Sequence, residues 1–371
     1  MSRVFFHVQH LLGIGHIRRA AVLARTLAAS GFDVLLVSGG APLKLDLGRA
    51  RFHQLPPVRA RDEGLRELSR LDGTPIDEAF KSERTRALLE LFRAEQPDVL
   101  ITEQFPFGRT QLRFELLPLL QAAQERRPPS LTRPLIVSSV RDIVRRTMSA
   151  ERVQETLELL RSFDTVLIHG DPTVIGFERS FAGWDAIRDR AAYTGYVTDL
   201  ARTDSAAGKD EVIVSVGGGA VGAPLIEAAA TARAKTALAG RTWRLLGGAN
   251  ETRTVNGMVV EAARSDFPTL LRNAALSISQ AGYNTVVETL ACADRAVLVP
   301  FGTARETEQT DRATWLAERG LVTCLPADSL APDTLAAAVD RALQGPSIRS
   351  FPPCDLNGAA ATAAFLHQRL A

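Results

Sequence analysis

Several short segments carry side chains whose types and spacing could do chemistry, and each directly follows an apolar, β-rich run. The first contains Gly13, Gly15 and His16, just after the opening strand. Glycine lets a backbone approach a ligand, a helix N-terminus favours negative charge, and histidine is suited to general base catalysis near neutral pH. This pattern predicts a catalytic base at His16. A tight turn whose histidine only caps the helix would give the same pattern.

The second segment, Gly217–Gly222, is a G-x-G-x-x-G sequence after the apolar run Val212–Val216. A dinucleotide site would also need an acidic residue at the end of the next strand, about 20 residues on. That strand, Trp243–Leu246, is followed instead by Gly247 and Gly248. The sequence therefore favours a glycine-rich loop that faces a phosphate over a nicotinamide site.

The third segment runs from Ser279 to Glu288 and again lies at a strand-to-helix junction. Free N–H groups at a helix N-terminus can receive a diphosphate, and Asn284 and Thr285 could add hydrogen bonds. Glu288, one turn into the helix, could bind a ribose diol. The same Thr285-x-x-Glu288 spacing is also a capping box, which needs no ligand.

The fourth segment follows the strand that ends at Val299. It contains Glu306, Glu308 and Gln309, whose carboxylates and amide are groups of the kind that bind sugar hydroxyls. Acidic residues are also favoured in the first turn of any helix by the helix dipole. The segment is therefore a candidate sugar site with a structural alternative.

Two further segments at strand ends are candidates for acceptor chemistry. Glu103 and Asp142 are rival bases, or groups that orient His16, although Asp142 could instead form a structural ion pair with its neighbour Arg141. Phe105 and Phe107 could pack under a flat or apolar acceptor, or belong to the local core. The predicted acceptor-binding residues are Gly15, Arg19, Phe105, Phe107, Arg109 and Arg141.

The elements that must position these residues alternate along the whole chain. Apolar runs typical of strands alternate with stretches of helical period, the pattern of parallel sheets covered by helices on both faces. The polar segment Thr198–Asp210 is the best linker candidate. The predicted fold class is α/β, with two doubly wound Rossmann-like domains, 1–200 and 201–355, facing each other across a cleft into which strand ends project.

Composition excludes several classes. The 371 residues carry a formal net charge of +2, and no apolar run approaches the ~20 residues needed to span a bilayer. Three cysteines, neither clustered nor at C-x-x-C spacing, exclude a disulfide framework and a cysteine zinc site. We expect a cytoplasmic protein whose first two residues lead into a strand rather than a signal peptide.

Charge is uneven along the chain. Residues 1–61 carry nine basic and two acidic side chains, whereas the tally beyond residue 200 is 16 against 17. A nucleic-acid partner has little support, because no basic arm or stripe is present. The basic bias of the first domain suggests an anionic acceptor, with lipid phosphate at a membrane face as one hypothesis and peripheral membrane contact as its consequence.

In order and separation, these segments resemble the GT-B nucleotide-sugar glycosyltransferases, in particular the family 28 branch containing the lipid-II-forming N-acetylglucosaminyltransferase. That family binds the donor diphosphate and ribose with a Gly-x-x-Thr-x-x-Glu stretch, and the donor sugar with a Pro-Phe strand end and an acid/amide pair. It also has a glycine-rich loop with histidine after its first strand, although here the glycine run is shorter and Arg18 and Arg19 follow. The matching residues are Gly13, Gly15, His16, Gly282, Thr285, Glu288, Pro300, Phe301, Glu308 and Gln309.

The resemblance implies an inverting transfer from a nucleotide-sugar, by analogy a UDP-sugar, to a hydroxyl or other nucleophile of an unidentified small-molecule or lipid-linked acceptor. It implies an N-terminal acceptor domain, a C-terminal donor domain, and a last helix, 356–371, that returns to the first domain. No tightly bound cofactor and no metal are expected, since the chain has no Asp-x-Asp. The predicted donor-binding residues are Gly217, Gly218, Gly219, Gln280, Ala281, Gly282, Tyr283, Asn284, Thr285, Glu288, Glu308 and Gln309.

Three interpretations of the activity remain open from the sequence. A hydrolase or an epimerase of the nucleotide-sugar would keep the same donor motif as a transferase. A non-catalytic nucleotide-sugar sensor would keep it as well. The sequence does not distinguish them, because all three need the same groups around the donor diphosphate.

Overall fold

A computed structural model describes residues 1–11, 13–61, 67–125, 133–144, 148–200, 204–216, 222–247, 253–302 and 307–371. The chain divides into two compact units. The first unit comprises Met1–Val197 and Asp355–Ala371, and the second comprises Thr198–Cys354. In the part of the chain that the structure describes, no helix is both long and apolar enough to cross a bilayer.

The first unit is built on a seven-stranded, wholly parallel sheet in the order β3-β2-β1-β6-β7-β8-β9, with a separate β4-β5 hairpin. Its strands are β1 (Arg3–Val8), β2 (Asp33–Ser38), β3 (Arg51–Gln54), β4 (Arg59–Ala60), β5 (Leu68–Ser69), β6 (Val99–Glu103), β7 (Leu135–Arg141), β8 (Thr165–His169) and β9 (Ala191–Tyr193). Its helices are α1 (Gly15–Ala29), α2 (Glu78–Glu95), α3 (Arg113–Glu125) and α4 (Ala150–Leu160).

Strand β1 shows why this sheet is covered on both faces. Successive side chains of a strand point to opposite faces. Val4, Phe6 and Val8 join the cluster that contains the apolar side of α1, whereas Phe5 joins the cluster that contains apolar residues of α2 and α3. This continuous apolar run is therefore buried on both faces of the sheet, as is usual for parallel sheets.

The second unit has the same architecture. Its sheet has the order β12-β13-β11-β10-β14-β15-β16, and only the edge strand β12 is antiparallel to its neighbour. Its strands are β10 (Val212–Ser215), β11 (Trp243–Leu246), β12 (Arg253–Val255), β13 (Met258–Glu261), β14 (Leu276–Ser279), β15 (Ala296–Leu298) and β16 (Thr323–Cys324). Its helices are α5 (Ala223–Ala232), α6 (Phe267–Asn273), α7 (Tyr283–Cys292), α8 (Glu308–Glu318) and α9 (Pro332–Gln344).

The last helix, α10 (Gly358–Leu370), belongs to the first unit. Ala359, Ala363 and Leu366 share a buried cluster with the apolar face of α1. At the entry to α10, Gly358 fits against the backbone of Gly195 and Tyr196, where a Cβ atom would lie 2.4 Å from the Gly195 carbonyl oxygen. The predicted α/β class with two Rossmann-like domains is confirmed.

Candidate functional site

In the first unit, His16 and Glu103 come into direct contact although 87 residues separate them. Glu103 is the last residue of β6, and His16 lies in the first turn of α1, which begins where β1 has ended. The Nδ1 atom of His16 lies 2.7 Å from Oε1 of Glu103. Arg19, one turn further along α1, donates to the same carboxylate oxygen through Nη2.

Burial differs sharply within this cluster. The side chains of Glu103 and Arg19 are 0% and 1% exposed, whereas that of His16 is 16% exposed. A buried carboxylate without a cation would be costly, so the contact with Arg19 is what makes Glu103 tolerable there. His16 is thus the member of the cluster that solvent or a substrate can reach.

The charges around the cluster decide its protonation. Burial lowers the pKa of His16 to about 3; the nearby Glu103 opposes this shift, and the positive charges of Arg109 and Arg141 add to it. Burial alone would raise the pKa of Glu103, but His16, Arg19 and Arg109 together hold it well below its usual range. At neutral pH the arrangement is therefore a neutral imidazole beside a carboxylate.

This geometry assigns the imidazole tautomer. A carboxylate only accepts hydrogen bonds, so Nδ1 of His16 carries the proton that is donated to Glu103, and Nε2 is left as the basic atom. Glu103 orients His16 and is itself inaccessible, which resolves the alternative of Glu103 as the base. Nor is His16 a helix cap, since the N-cap of α1 is Ile14 and no side chain caps it.

The loop after β6 carries two residues with positive φ. Gln104 (φ 65°) and Arg109 (φ 62°) bracket a tight turn in which the Gly108 N–H donates to the Gln104 carbonyl oxygen at 2.7 Å. Arg109 is 8% exposed. The positive charge of Arg109 acts on both His16 and Glu103. The positive charge of Arg141, at the end of β7, acts on His16. The predicted basic residues therefore surround the pair.

Phe105 and Phe107 do not line a surface. They are 0% and 4% exposed, and Phe107 makes edge contacts with Phe177 and Phe181 at centroid distances of 5.6 and 5.0 Å. Phe105 lies 6.4 Å from the ring of Phe163. Both rings belong to the core, so the prediction that they contact an acceptor is corrected in favour of the core alternative.

Asp142 is also placed differently from the prediction that made it a rival base. It is 1% exposed, and its Oδ1 accepts a hydrogen bond from the Ile143 N–H at 2.9 Å. Its Cβ packs so closely on Gly170 that a Cβ there would lie 2.8 Å away. A carboxyl enclosed in this way is out of reach of an acceptor, which favours a structural role for Asp142.

In the second unit, α7 begins at Tyr283, and its N-cap is Gly282 with no side-chain cap. Around Gly282, a Cβ atom would meet no described atom within 4 Å, so no group in the described part of the chain crowds this backbone. Thr285 and Glu288 lie inside the helix as its third and sixth residues. The capping-box alternative is therefore wrong, because the helix starts two residues before Thr285.

Gln309 joins two neighbouring loops of this unit. Its Oε1 accepts the N–H of Ala281 at 3.1 Å and the N–H of Phe301 at 3.2 Å. Two N–H donors identify this atom as the oxygen, so Nε2 is turned away from both loops. The amide of the predicted acid/amide pair therefore has a structural contact, because its oxygen fixes the loops before α7 and after β15.

Arg312 also binds the loop before α7, and it was not among the residues predicted from the sequence. It is 0% exposed, donates to the Ala281 carbonyl oxygen at 3.0 Å and to Oε1 of Glu308 at 2.8 Å, and lies over the ring of Tyr283 at 5.8 Å. Its i,i+4 spacing from Glu308 was the signal that could have found it. The predicted residues Gly217, Gly218, Gly219 and Glu306 lie outside the described residues.

Comparison with known proteins identifies the second unit. Residues 213–350 match the model of the glycosyltransferase family 28 C-terminal domain. The second unit therefore contains a family 28 C-terminal domain, and the chain is a GT-B glycosyltransferase. No curated protein sequence matches it with significance.

Solved structures agree with the fold of this glycosyltransferase. The spinosyn rhamnosyltransferase SpnG complexed with thymidine diphosphate superposes with a TM-score of 0.64 at 16% identity, covering 100% of both chains. The calicheamicin glycosyltransferase CalG4 gives 0.63 at 17% identity, covering 100% of this chain and 98% of its own. MurG of Acinetobacter baumannii gives 0.60 at 16% identity, covering 99% and 100%.

The glycosyltransferase has a second buried histidine that the sequence analysis did not single out. His169, the last residue of β8, is 0% exposed; its Nε2 lies 2.7 Å from Ser139 Oγ and its Nδ1 2.9 Å from Thr194 Oγ1. Burial lowers its pKa to about 3, with the charge of Arg19 adding to the shift and Glu103 opposing it. It packs behind the catalytic candidates as a neutral ring.

Proposed function

We propose that this glycosyltransferase is an inverting enzyme that moves a sugar from a UDP-sugar to a hydroxyl group, with His16 as the general base. The observation that carries the proposal is the 2.7 Å contact between Nδ1 of His16 and Glu103. It leaves Nε2 as a proton acceptor on the one partly exposed member of a buried charged cluster. A positioned base of this kind contributes about 10²–10⁴ to a rate.

The step is a single displacement. The acceptor hydroxyl gives its proton to Nε2 of His16 while its oxygen attacks the anomeric carbon, and the bond between that carbon and the diphosphate oxygen breaks. Attack from the face opposite the leaving group inverts the anomeric configuration. Glu103 stabilises the imidazolium that forms, through the same hydrogen bond that orients the neutral ring.

The second unit binds the donor in this proposal. The amino end of α7 faces the leaving diphosphate, and the phosphate approaches the backbone at Gly282, where no described atom lies within 4 Å of the position of a Cβ atom. Asn284, Thr285 and Glu288 bind the diphosphate and ribose, and Glu308 and Gln309 bind the sugar. A helix dipole replaces a cation at the leaving group, so activity should survive EDTA.

The nucleobase and acceptor are assigned on weaker grounds. The structural neighbour SpnG was solved with thymidine diphosphate, a pyrimidine nucleotide like UDP. The nine basic against two acidic residues in 1–61 support an anionic acceptor bound by the first unit, and peripheral contact of a cytoplasmic protein with lipid phosphate. UDP-sugars are therefore the first donors to test.

The test begins with thermal shifts against UDP-, dTDP- and GDP-sugars. A ligand at 100 times its Kd stabilises the folded state by about 2.7 kcal/mol, which is easily measured. The stabilising donor is then incubated with the enzyme alone. Rapid UDP release or epimerisation without an acceptor would overturn transfer in favour of a hydrolase or epimerase, and tight binding without turnover on any acceptor would favour a sensor.

A further inference from the structure

The first unit contains a pocket of about 560 Å³ that the site described above does not use. It lies among the segment that joins β1 to α1, the segment after β2, and the β4-β5 hairpin. Its volume falls within the range of sites that enclose small organic ligands. The lining residues that matter here are His10, Leu11, Ile14, Leu43, Val58 and Ser69.

Most of this lining is apolar, and the exposed residues Arg59 and Arg61 also border it. Two buried polar side chains interrupt the apolar lining. His10 is 4% exposed and Ser69 is 0% exposed. The two ring nitrogens of His10 and the Oγ atom of Ser69 make no hydrogen bond of normal geometry with any residue that the structure describes. Buried polar atoms in native proteins nearly always have partners, so these three atoms are candidates to bind the polar groups of a ligand.

The surrounding structure holds His10 in place. Its ring lies directly over Gly40, where a Cβ atom would be 2.3 Å from the ring. Gly40 is followed by Ala41, whose backbone lies close enough to favour the charged ring. Burial nevertheless lowers the pKa of His10, and the charge of Arg109 adds to this effect. A neutral ring offers one donor and one acceptor, which is the complement of a hydroxyl group.

A buried ion pair anchors the segments next to this pocket. Arg84 and Glu115 are both 0% exposed and form two hydrogen bonds, at 2.5 and 2.9 Å. Arg84 also donates to the carbonyl oxygens of Gly39 and Pro56, which flank the pocket-lining segments. These hydrogen bonds fix the backbone of the segments that flank the pocket.

From this geometry we infer that the pocket binds the apolar body of the acceptor, a small molecule of fused rings or similar bulk, and that His10 and Ser69 bind a second hydroxyl or carbonyl oxygen on it. This inference rests on the proposed function, because it names the acceptor class of the same enzyme. Ile14 lines the pocket and stands two residues before His16, so the pocket reaches the start of the helix that carries the base.

The test measures binding without any donor sugar. The full-length protein is titrated with 2-naphthol and with naphthalene, which share an apolar body and differ by one hydroxyl. One net hydrogen bond should make 2-naphthol bind about tenfold more tightly. Equal affinity of the two probes for the wild-type protein would overturn the assignment of His10 and Ser69.

Variants locate the binding. Ala60→Trp fills the pocket and should abolish the binding of both probes, whereas Ala94→Trp, on the exposed face of α2, should leave it intact. Unchanged binding in the Ala60→Trp variant would show that the probes bind elsewhere and would overturn the inference. His10→Phe keeps the ring over Gly40, and it should bring the tenfold preference for 2-naphthol close to one.

Stability measurements guard against misfolding. His10→Phe removes two buried ring nitrogens and Ser69→Ala removes one buried hydroxyl, and none of these atoms makes a hydrogen bond of normal geometry with a described residue. Neither variant should therefore lower the midpoint of urea unfolding. The test is also separable from the catalytic proposal: His16→Ala should bind both probes like the wild type. Normal sugar transfer without a hydroxyl preference would defeat this inference alone, whereas probe binding in an enzyme that transfers no sugar would defeat the proposed function alone.

Discussion

The two units share a fold but solve different chemical problems. All six histidines of the chain lie in the first unit, and the second has none. In the first unit, candidate functional side chains contact one another, as His16 does Glu103. In the second unit, the side chains next to the candidate donor site bind the backbone, as Gln309 and Arg312 do at Ala281.

The difference follows from what each unit is proposed to bind. Taking a proton from a hydroxyl needs a titratable group held at a defined protonation state, which burial and nearby charges provide. Holding a diphosphate needs N–H groups in a rigid arrangement, which the backbone provides once its loops are fixed. The first unit therefore depends on side-chain charge, and the second on backbone shape.

The largest expected effect is on the proton acceptor. His16→Ala should lower kcat by roughly 10²–10⁴ with little change in donor affinity, because the variant loses the proposed base of the first unit and leaves the second unit untouched. Steady-state kinetics and donor titrations measure the two effects separately. Wild-type kcat in this variant would show that His16 does not accept the proton. The contrast between side-chain charge in the first unit and backbone shape in the second would then fail.

Glu103→Gln is the matched control for that variant. It keeps the size of the side chain and an oxygen to accept from Nδ1, but removes the charge that stabilises the imidazolium and pairs with Arg19. Activity should fall less than in His16→Ala, and the free energy of unfolding should drop by about 3–5 kcal/mol because the buried Arg19 loses the opposite charge of Glu103. Equal stability would mean that Arg19 finds another partner.

A smaller effect tests the backbone-based unit. Gln309→Leu removes the acceptor of two half-buried N–H groups and should destabilise the second unit by about 2 kcal/mol. Gln309→Glu keeps two oxygens that can accept both N–H groups, and a negative charge at the start of α8 is favoured, so stability should be nearly unchanged.

Donor titration of the Gln309→Glu variant then separates its two roles. If Nε2 contacts the sugar, donor affinity should fall in both variants, whereas a purely structural Gln309 predicts a loss only in Gln309→Leu. The second outcome would strengthen the comparison between the units, because Gln309, like Arg312, would then serve the donor site only by binding backbone groups. Donor affinity that stayed at the wild-type value in Gln309→Leu would show that these loops do not position the donor.

The sequence was sufficient to predict the long buried strands but not the short ones. Runs such as those of β1 and β6 are apolar on both faces, which is a strong signal for a parallel sheet. The β12-β13 hairpin was missed, although its turn is Asn256-Gly257 with φ angles of 50° and 77°, the residues that a tight hairpin prefers. The two-residue strands β4 and β5 have no periodicity to read.

The candidate site shows a different limit. Both Glu103 and Asp142 were predicted at strand ends beside His16, and nothing in the spacing distinguishes them. Glu103 is still within β6 and faces α1, whereas Asp142 comes one residue after β7 and turns onto Gly170. A one-residue difference in where a strand ends reverses the face that a side chain occupies, and only the packed structure determines it.

The last effect concerns acid and separates the units by stability alone, without a change in activity. With pKa values of about 3 for both His16 and His169, the folded first unit binds no proton there at pH 5, whereas the unfolded chain does so below about 6.5. Stability therefore falls as the pH drops from 7 to 5, by about 2 kcal/mol per histidine. His169→Gln, whose amide can still bond to Ser139 and Thr194, should remove one histidine's share of the pH dependence of the unfolding free energy, measured by urea unfolding.

In a Trp184→Phe background the remaining tryptophans report on the second unit. That unit should show no comparable pH dependence of unfolding between pH 7 and 5, because it contains no histidine. An equal slope in both units would mean that groups other than these two histidines control the acid response.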